Sequence, residues 1–122
     1  MKYLLDTNIC IYIINEKPEK VLRKFEQYPV SEFGISSITH AELKYGVEKS
    51  KNKDTNQNAL DEFLLPLTIL PFHGKRMVTC YGEIRVLLES KGKTIGPLDM
   101  LIAAHALSLD LKIISNNIKE FS

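Results

Sequence analysis

Apolar residues along the chain form short uninterrupted runs that alternate with stretches of helical spacing. These runs lie at Tyr3–Asp6, Phe33–Ser36, Leu67–Phe72 and Leu111–Ile114, and polar or turn residues bound them. A continuous apolar run of this length is typical of a strand buried on both faces of a parallel sheet. We therefore predict four strands, with Asp6 at the carboxyl end of the first.

Helical spacing of apolar residues marks the segments between these strands. It predicts helices over Ile9–Ile14, Val21–Phe25, Ile38–Lys49, Ala59–Leu65, a stretch after Gly74 that includes Met77, Tyr81, Ile84 and Leu88, and Pro97–Leu109. Lys51–Asn58 has no apolar residue and is predicted to be a polar loop, and Lys91–Gly96 a loop with two glycines. Strands that alternate with helices predict one domain, residues 1–122, with a three-layer α/β/α fold around a mostly parallel sheet.

Composition narrows the function classes only partly. The chain has 122 residues and is 44% hydrophobic, enough for a core without disulfides or a structural metal. Cys10 and Cys80 lack paired spacing, the N-terminus has no signal segment and no apolar run approaches the roughly 20 residues of a membrane span. We therefore expect a cytoplasmic protein that does not cross a membrane.

The charge balance is close to neutral and does not decide whether nucleic acid is a ligand. The formal net charge is +1, although lysines cluster at positions 44, 49, 51 and 53. The aromatic residues are scattered along the sequence, without the interleaving typical of a base-stacking platform.

Three acids occupy positions where a parallel sheet would form its ligand site. Asp6 ends the first strand, Glu42 lies on an otherwise apolar helix face, and Asp99 lies in the first turn of a nearly apolar helix. Parallel sheets bind ligands at the carboxyl ends of their strands. Converging carboxylates repel one another unless a cation lies between them, and oxygen ligands favour a hard ion such as Mg²⁺. The pattern predicts one metal-binding acidic site.

Each acid also has a purely structural interpretation. Asp6 fits the N-cap of the next helix. Thr39 and Glu42 have the spacing of a capping box. Asp99 would stabilise its helix by about 0.3–1 kcal/mol through its interaction with the helix dipole. The sequence alone leaves these alternatives open for each acid taken singly.

Four short motifs, in the same order and spacing, resemble those of PIN-domain proteins, and most of all the VapC toxins of bacterial toxin–antitoxin pairs. The matching segments are Leu5–Asn8, Ser36–Thr39 with Ala41–Leu43, Gly96–Asp99 with Ile102–Ala106, and Ser115–Asn117 with Glu120–Phe121. The resemblance spans nearly the whole chain.

The resemblance implies a Mg²⁺- or Mn²⁺-dependent endoribonuclease. In it, Asp6 and Asp99 bind the metal, Glu42 completes the acidic cluster and Asn117 is the fourth member. Asn117 often corresponds to Asp in the wider family; lacking that charge, it offers only a neutral carbonyl or orients a water molecule. Supporting roles are expected for Ser115, Thr7 and Asn8.

The resemblance also implies a substrate and partners. It predicts cleavage of structured RNA such as tRNA, inhibition of translation, a homodimer, and a VapB antitoxin that inserts a basic side chain among the acids. DNA would be contacted only through the antitoxin. Two alternatives remain open: a non-catalytic binding module of the same fold, and a metal-dependent DNA nuclease.

Overall fold

Four short strands and five helices make up the residues that this computed structural model describes, which are 1–15, 26–93 and 95–115. The strands are β1 (Tyr3–Leu5), β2 (Phe33–Ser36), β3 (Thr68–Leu70) and β4 (Lys112–Ile114). The helices are α1 (Thr7–Ile14), α2 (Ser37–Lys49), α3 (Lys53–Leu64), α4 (Lys75–Ser90) and α5 (Pro97–Ser108), and a 3₁₀ turn at Val30–Glu32 precedes β2.

The strands form one parallel sheet in the order β3-β2-β1-β4. Leu5 lies opposite both Ile35 and Ile114, so the carboxyl ends of three strands are level. The amide of Asp6 continues the ladder by donating to the carbonyl of Ile114 at 3.0 Å. Because the strand order reverses between β1 and β4, the edge beside Asp6 is where such a sheet binds its ligand.

Helices cover both faces of the sheet. Helices α1, α2 and α3 pack over one face around Leu5, Ile35 and Leu60. Helix α5 packs over the other face, where Ile102 meets Leu4, and α4 lies against α5. Neighbouring side chains in a strand point to opposite faces, which is why Leu4 and Leu5 belong to different clusters. The predicted three-layer α/β/α fold is confirmed.

Most predicted elements agree with the structure to within a few residues, but one prediction is wrong. Lys51–Asn58 is not a loop, because helix α3 already begins at Lys53. The first half of α3 is exposed, and bonds between polar side chains such as Gln57 and Asp61 hold it, so apolar periodicity gives no sign of it. The third strand is also shorter than predicted.

The helix predicted over Val21–Phe25 lies outside the described residues. Among the helices in the described ranges, none is long and apolar enough to cross a membrane.

Candidate active site

Asp6 lies directly after β1 and is only 3% exposed. Its Oδ1 accepts a hydrogen bond from the amide of Ile9 at 2.8 Å and so caps helix α1, which confirms the N-cap interpretation. A buried carboxylate is stable only when donors or cations compensate its charge. This bond uses one carboxylate oxygen, so the N-cap role leaves Oδ2 for a ligand.

The buried charge of Asp6 also acts on its neighbour Cys10. Burial, and to a lesser extent the Asp6 carboxylate, raises the pKa of the Cys10 thiol far above its usual range. A thiol that stays protonated is a poor nucleophile and a poor metal ligand. Cys10 therefore contributes packing beside the site, and the chemistry is left to oxygen atoms.

Glu42 reaches the same edge from helix α2, and its capping-box interpretation is wrong. The N-cap of α2 is Ser36, whose Oγ accepts from the amide of Ile38 at 3.0 Å. Glu42 Oε1 instead accepts a hydrogen bond of 2.7 Å from Thr7 Oγ1, and the hydroxyls of Thr7 and Thr39 are 3.3 Å apart. Thr7 follows Asp6 in the chain, so its hydroxyl holds Glu42 beside the end of β1.

Asp99 lies half-buried in the first turn of α5, which Pro97 opens. The other end of α5 leads within a few residues into the amino end of β4, so α5 runs antiparallel to that strand. Its first turn therefore points towards the carboxyl edge of the sheet, and a carboxylate there also complements the helix dipole. Gly96 stays close to the Asp99 carboxylate, since a Cβ built on Gly96 would be 3.7 Å from Asp99 Oδ2.

A buried hydrogen bond that the sequence did not predict ties α5 to the start of α2. His105 is fully buried, and its Nδ1 is 2.8 Å from Ser36 Oγ, across 69 residues of chain. Burial, and secondarily His73, lowers the pKa of His105, so its ring is neutral at neutral pH. The helix that carries Asp99 is thereby fixed to the cap of the helix that carries Glu42.

The remaining predicted residues are placed as follows. Ser115 comes directly after β4 at the same edge and is half-buried, whereas Asn8 is exposed in the first turn of α1. Asn117 lies outside the described residues. The structure therefore links Asp6, Thr7 and Glu42 directly and brings Ser115 to their edge of the sheet.

The donor chemistry of this edge fits a hard divalent cation, because its ligands are carboxylate and hydroxyl oxygens. Within the described part of the chain, however, no set of three acidic, histidine or cysteine side chains is arranged to hold a metal ion. A closed cage of Asp6, Glu42 and Asp99 is therefore not preformed, and the metal site remains a prediction.

Comparison with known proteins agrees with this architecture. The PIN domain family matches residues 3–122. Ribonuclease VapC2 of Rickettsia felis is 48% identical over 122 residues, which cover 99% of this chain and 90% of that protein. The chain belongs to the PIN-domain family and, within it, to the VapC ribonucleases. The family expected from the motifs is confirmed.

Other relatives extend the comparison to a named substrate and to solved complexes. The tRNA(fMet)-specific endonuclease VapC of Salmonella typhimurium is 40% identical over 121 residues, covering 99% of this chain and 90% of that protein. The crystal structure of Rickettsia felis VapBC2 bound to a promoter DNA fragment has a TM-score of 0.88 and 46% identity, covering 99% of this chain and 91% of that one. The DNA-bound Salmonella typhimurium VapBC structure has a TM-score of 0.90 and 40% identity, covering 99% and 90%.

Proposed function

We propose that the chain is the toxin of a VapBC-type pair, an endoribonuclease that cleaves structured RNA such as tRNA in the cytoplasm and thereby inhibits translation. The observation that carries this proposal is the link of buried Asp6 through Thr7 to Glu42 at the edge where the strand order reverses. The relative named as tRNA(fMet)-specific supports tRNA as the substrate class.

The reaction is hydrolysis of a phosphodiester bond. Asp6 and Asp99 would hold Mg²⁺ or Mn²⁺, with the neutral carbonyl of Asn117 and the hydroxyl of Ser115 in support. When bound, such an ion stabilises charge on the scissile phosphate and makes water more acidic. Glu42, oriented by the hydroxyl of Thr7, accepts a proton from the attacking water.

The products follow from which bond breaks. The water oxygen bonds to phosphorus, the bond from phosphorus to the 3′ oxygen breaks, and that oxygen leaves with a proton. Cleavage yields a 5′-phosphate on one fragment and a 3′-hydroxyl on the other. These ends distinguish the proposed reaction from RNA cleavage by attack of the 2′-hydroxyl, which needs no water.

The decisive experiment replaces each of the two aspartates proposed to hold the metal with its neutral isostere, asparagine. Asp6→Asn keeps an oxygen that can cap α1 but loses the charge, so the fold should persist while cleavage of tRNA(fMet) in Mg²⁺ or Mn²⁺ is abolished. Asp99→Asn should behave in the same way, and EDTA should stop the wild type. Asp110→Asn is the matched control, because Asp110 has a left-handed φ of 56° that asparagine also adopts, and it lies before the amino end of β4.

Full activity of Asp6→Asn, or cleavage that persists in EDTA, would overturn the proposal. Equal digestion of single-stranded DNA would instead identify the protein as a metal-dependent nuclease that does not distinguish DNA from RNA. A wild-type protein that binds tRNA(fMet) without cutting it would instead favour the non-catalytic binding module.

A VapB-type antitoxin is the proposed partner, and DNA would be reached only through it. An open apolar groove between α1, α2 and α3 supports this partner, since an apolar peptide segment buries its side chains in such a groove. The groove is lined by Ile11, Ile14, Asn15, Gly46, Val47, Asn56, Ala59 and Leu60. In addition, a basic antitoxin side chain would pair with Asp6 and Glu42. Replacement of Ile11, which is 43% exposed, by lysine should weaken antitoxin binding and relieve its inhibition of RNA cleavage.

We also propose a homodimer, as the family resemblance implies. Apolar side chains on α4 support it, because Val78 and Val86 are 61% and 68% exposed. Light scattering of the purified protein tests this, and Val86→Lys should shift a dimer towards monomer.

A further inference from the structure

Helix α2 presents an exposed aromatic ring and a lysine in line with Glu42. Residues three and four apart lie on one face of a helix, so Glu42, Tyr45 and Lys49 form one row. At a rise of about 1.5 Å per residue, Tyr45 lies about 4.5 Å and Lys49 about 10 Å beyond Glu42 along the axis. The row therefore leads away from the carboxyl edge of the sheet along the outside of the molecule.

The Tyr45 ring is unusually open to solvent for an aromatic side chain. It is 66% exposed, and Lys49 Nζ lies over it, 5.1 Å from the ring centroid. A cation over one face is a favourable cation–π contact and leaves the opposite face free. Every nucleobase can stack on a free aromatic face, and one such stack contributes appreciably to binding of single-stranded nucleic acid.

Positive charge continues beyond Lys49 at the junction of α2 and α3. Lys44 is neutralised by Glu48, with 3.1 Å between Nζ and Oε1. By contrast, Lys51 and Lys53 are exposed and have no carboxylate partner among the described residues. The lysine cluster of the sequence thus separates into one internal ion pair, Lys44 with Glu48, and exposed cations that lie just past the carboxyl end of α2.

We propose that Tyr45 stacks a base of the RNA substrate next to the cleavage site and that Lys49, Lys51 and Lys53 contact the phosphates that follow. This inference rests on the proposed ribonuclease function and gives it a substrate-binding track. The occupant is an unpaired stretch of RNA, because bases are available for stacking only when they are not paired. The cations beside the ring favour a polyanion over an apolar peptide.

The test compares Tyr45→Ala, Tyr45→Phe and Lys49→Gln with Lys112→Gln, a lysine at the amino end of β4. Affinity for fluorescent tRNA(fMet) is measured by anisotropy in the Asp6→Asn background, where no turnover is expected, and KM and kcat are measured in the otherwise wild-type chain. Tyr45→Ala should raise both Kd and KM on the order of 10-fold and leave kcat unchanged. Tyr45→Phe keeps the ring and should weaken binding much less.

The lysine has its own signature. The logarithm of the association constant falls linearly with the logarithm of salt concentration, and Lys49→Gln should make this negative slope shallower by about 0.7, the value for one phosphate contact to a single strand. Lys112→Gln should leave the slope and Kd unchanged.

Unchanged tRNA affinity in Tyr45→Ala would overturn the inference. So would a loss of antitoxin binding in Tyr45→Ala with RNA affinity intact, since Tyr45 would then belong to a protein interface. Because affinity is measured without turnover, these outcomes are independent of whether the wild type cleaves RNA, which tests the proposed function separately.

Discussion

Replacing Thr7 with valine removes the hydroxyl that holds Glu42 and preserves the shape of the side chain. The Thr7 Oγ1 to Glu42 Oε1 bond is 2.7 Å long and part-buried. A hydrogen bond to a charged acceptor contributes about 1.5–3 kcal/mol, and partial exposure favours the lower end, about 1.5 kcal/mol. Unfolding entropy of about 2.1 cal/mol/K per residue makes this a Tm decrease of roughly 6 °C for this chain.

Thr7→Val should also lower the catalytic activity, because the Glu42 carboxylate without this partner is no longer held in the orientation that accepts a proton from the attacking water. If the same 1.5 kcal/mol is lost from the transition state, the rate of tRNA cleavage decreases by about 10-fold. The assays are urea unfolding and single-turnover cleavage of Thr7→Val, Glu42→Ala and the double variant. Thr79→Val on the exposed side of α4 is the matched control.

The double variant decides between this explanation and a general effect of the substitution. A coupling energy of about 1 kcal/mol between positions 7 and 42 is expected for a direct bond between charged and neutral groups. Strictly additive free energies of unfolding, together with an unchanged cleavage rate in Thr7→Val, would refute the role given to the Thr7 hydroxyl.

Three further predictions follow from buried groups. Because the pKa of His105 is lowered in the folded state, the unfolded chain binds the proton more readily. The contribution of His105 to stability should therefore be complete well above pH 6.5 and decrease as the pH falls below that value. The urea midpoint of the wild type should be lower at about pH 5 than at about pH 8, and His105→Asn should reduce this difference. Ellman's reagent should label Cys80 but not Cys10 in the native protein and both in denaturant; equal native rates would contradict the burial argument. Gly34→Ala should lower the Tm, since its Cβ would lie 3.1 Å from a carbonyl oxygen of β3. Gly46 lies in the middle of α2, where an added Cβ would meet nothing within 4 Å, so Gly46→Ala should raise the free energy of unfolding by about 0.5–1 kcal/mol and with it the Tm.

The position of Asp6 could be predicted because it depends on a strong local pattern. A continuous apolar run is typical of a strand in a parallel sheet, and an acid that directly follows such a strand lies at the carboxyl edge of the sheet. Helical periodicity groups Glu42 with Ala41 and Tyr45 on a face predicted to be apolar and covered, and that part of the prediction is wrong. Glu42 is half-buried and Tyr45 is 66% exposed, because α2 packs through Thr39, Leu43 and Val47 instead. The partner of Glu42 could not be predicted, because a capping box and a bond to Thr7 require the same residue types and differ only in tertiary structure.

Features that depend on tertiary contacts or on solvent exposure gave no sequence signal. Ser36 and His105 lie on separate elements, and neither residue type in its local context indicates the other. Helix α3 lacked the apolar repeat that prediction relies on, since its first half faces water. Tyr45 is one of several scattered aromatic residues in the sequence, and only the tertiary structure places its ring on the surface beside Lys49.

The pairing of β1 with β4 brings the beginning of the chain together with a segment more than a hundred residues later, as Leu5 opposite Ile114 shows. Contacts of such long range are formed late in folding, because closing a large loop costs conformational entropy before the pairing stabilises it. During synthesis, the edge that carries Asp6 therefore stays incomplete until β4 has left the ribosome. A nascent chain that lacks β4 is therefore expected to leave the surrounding RNA uncleaved.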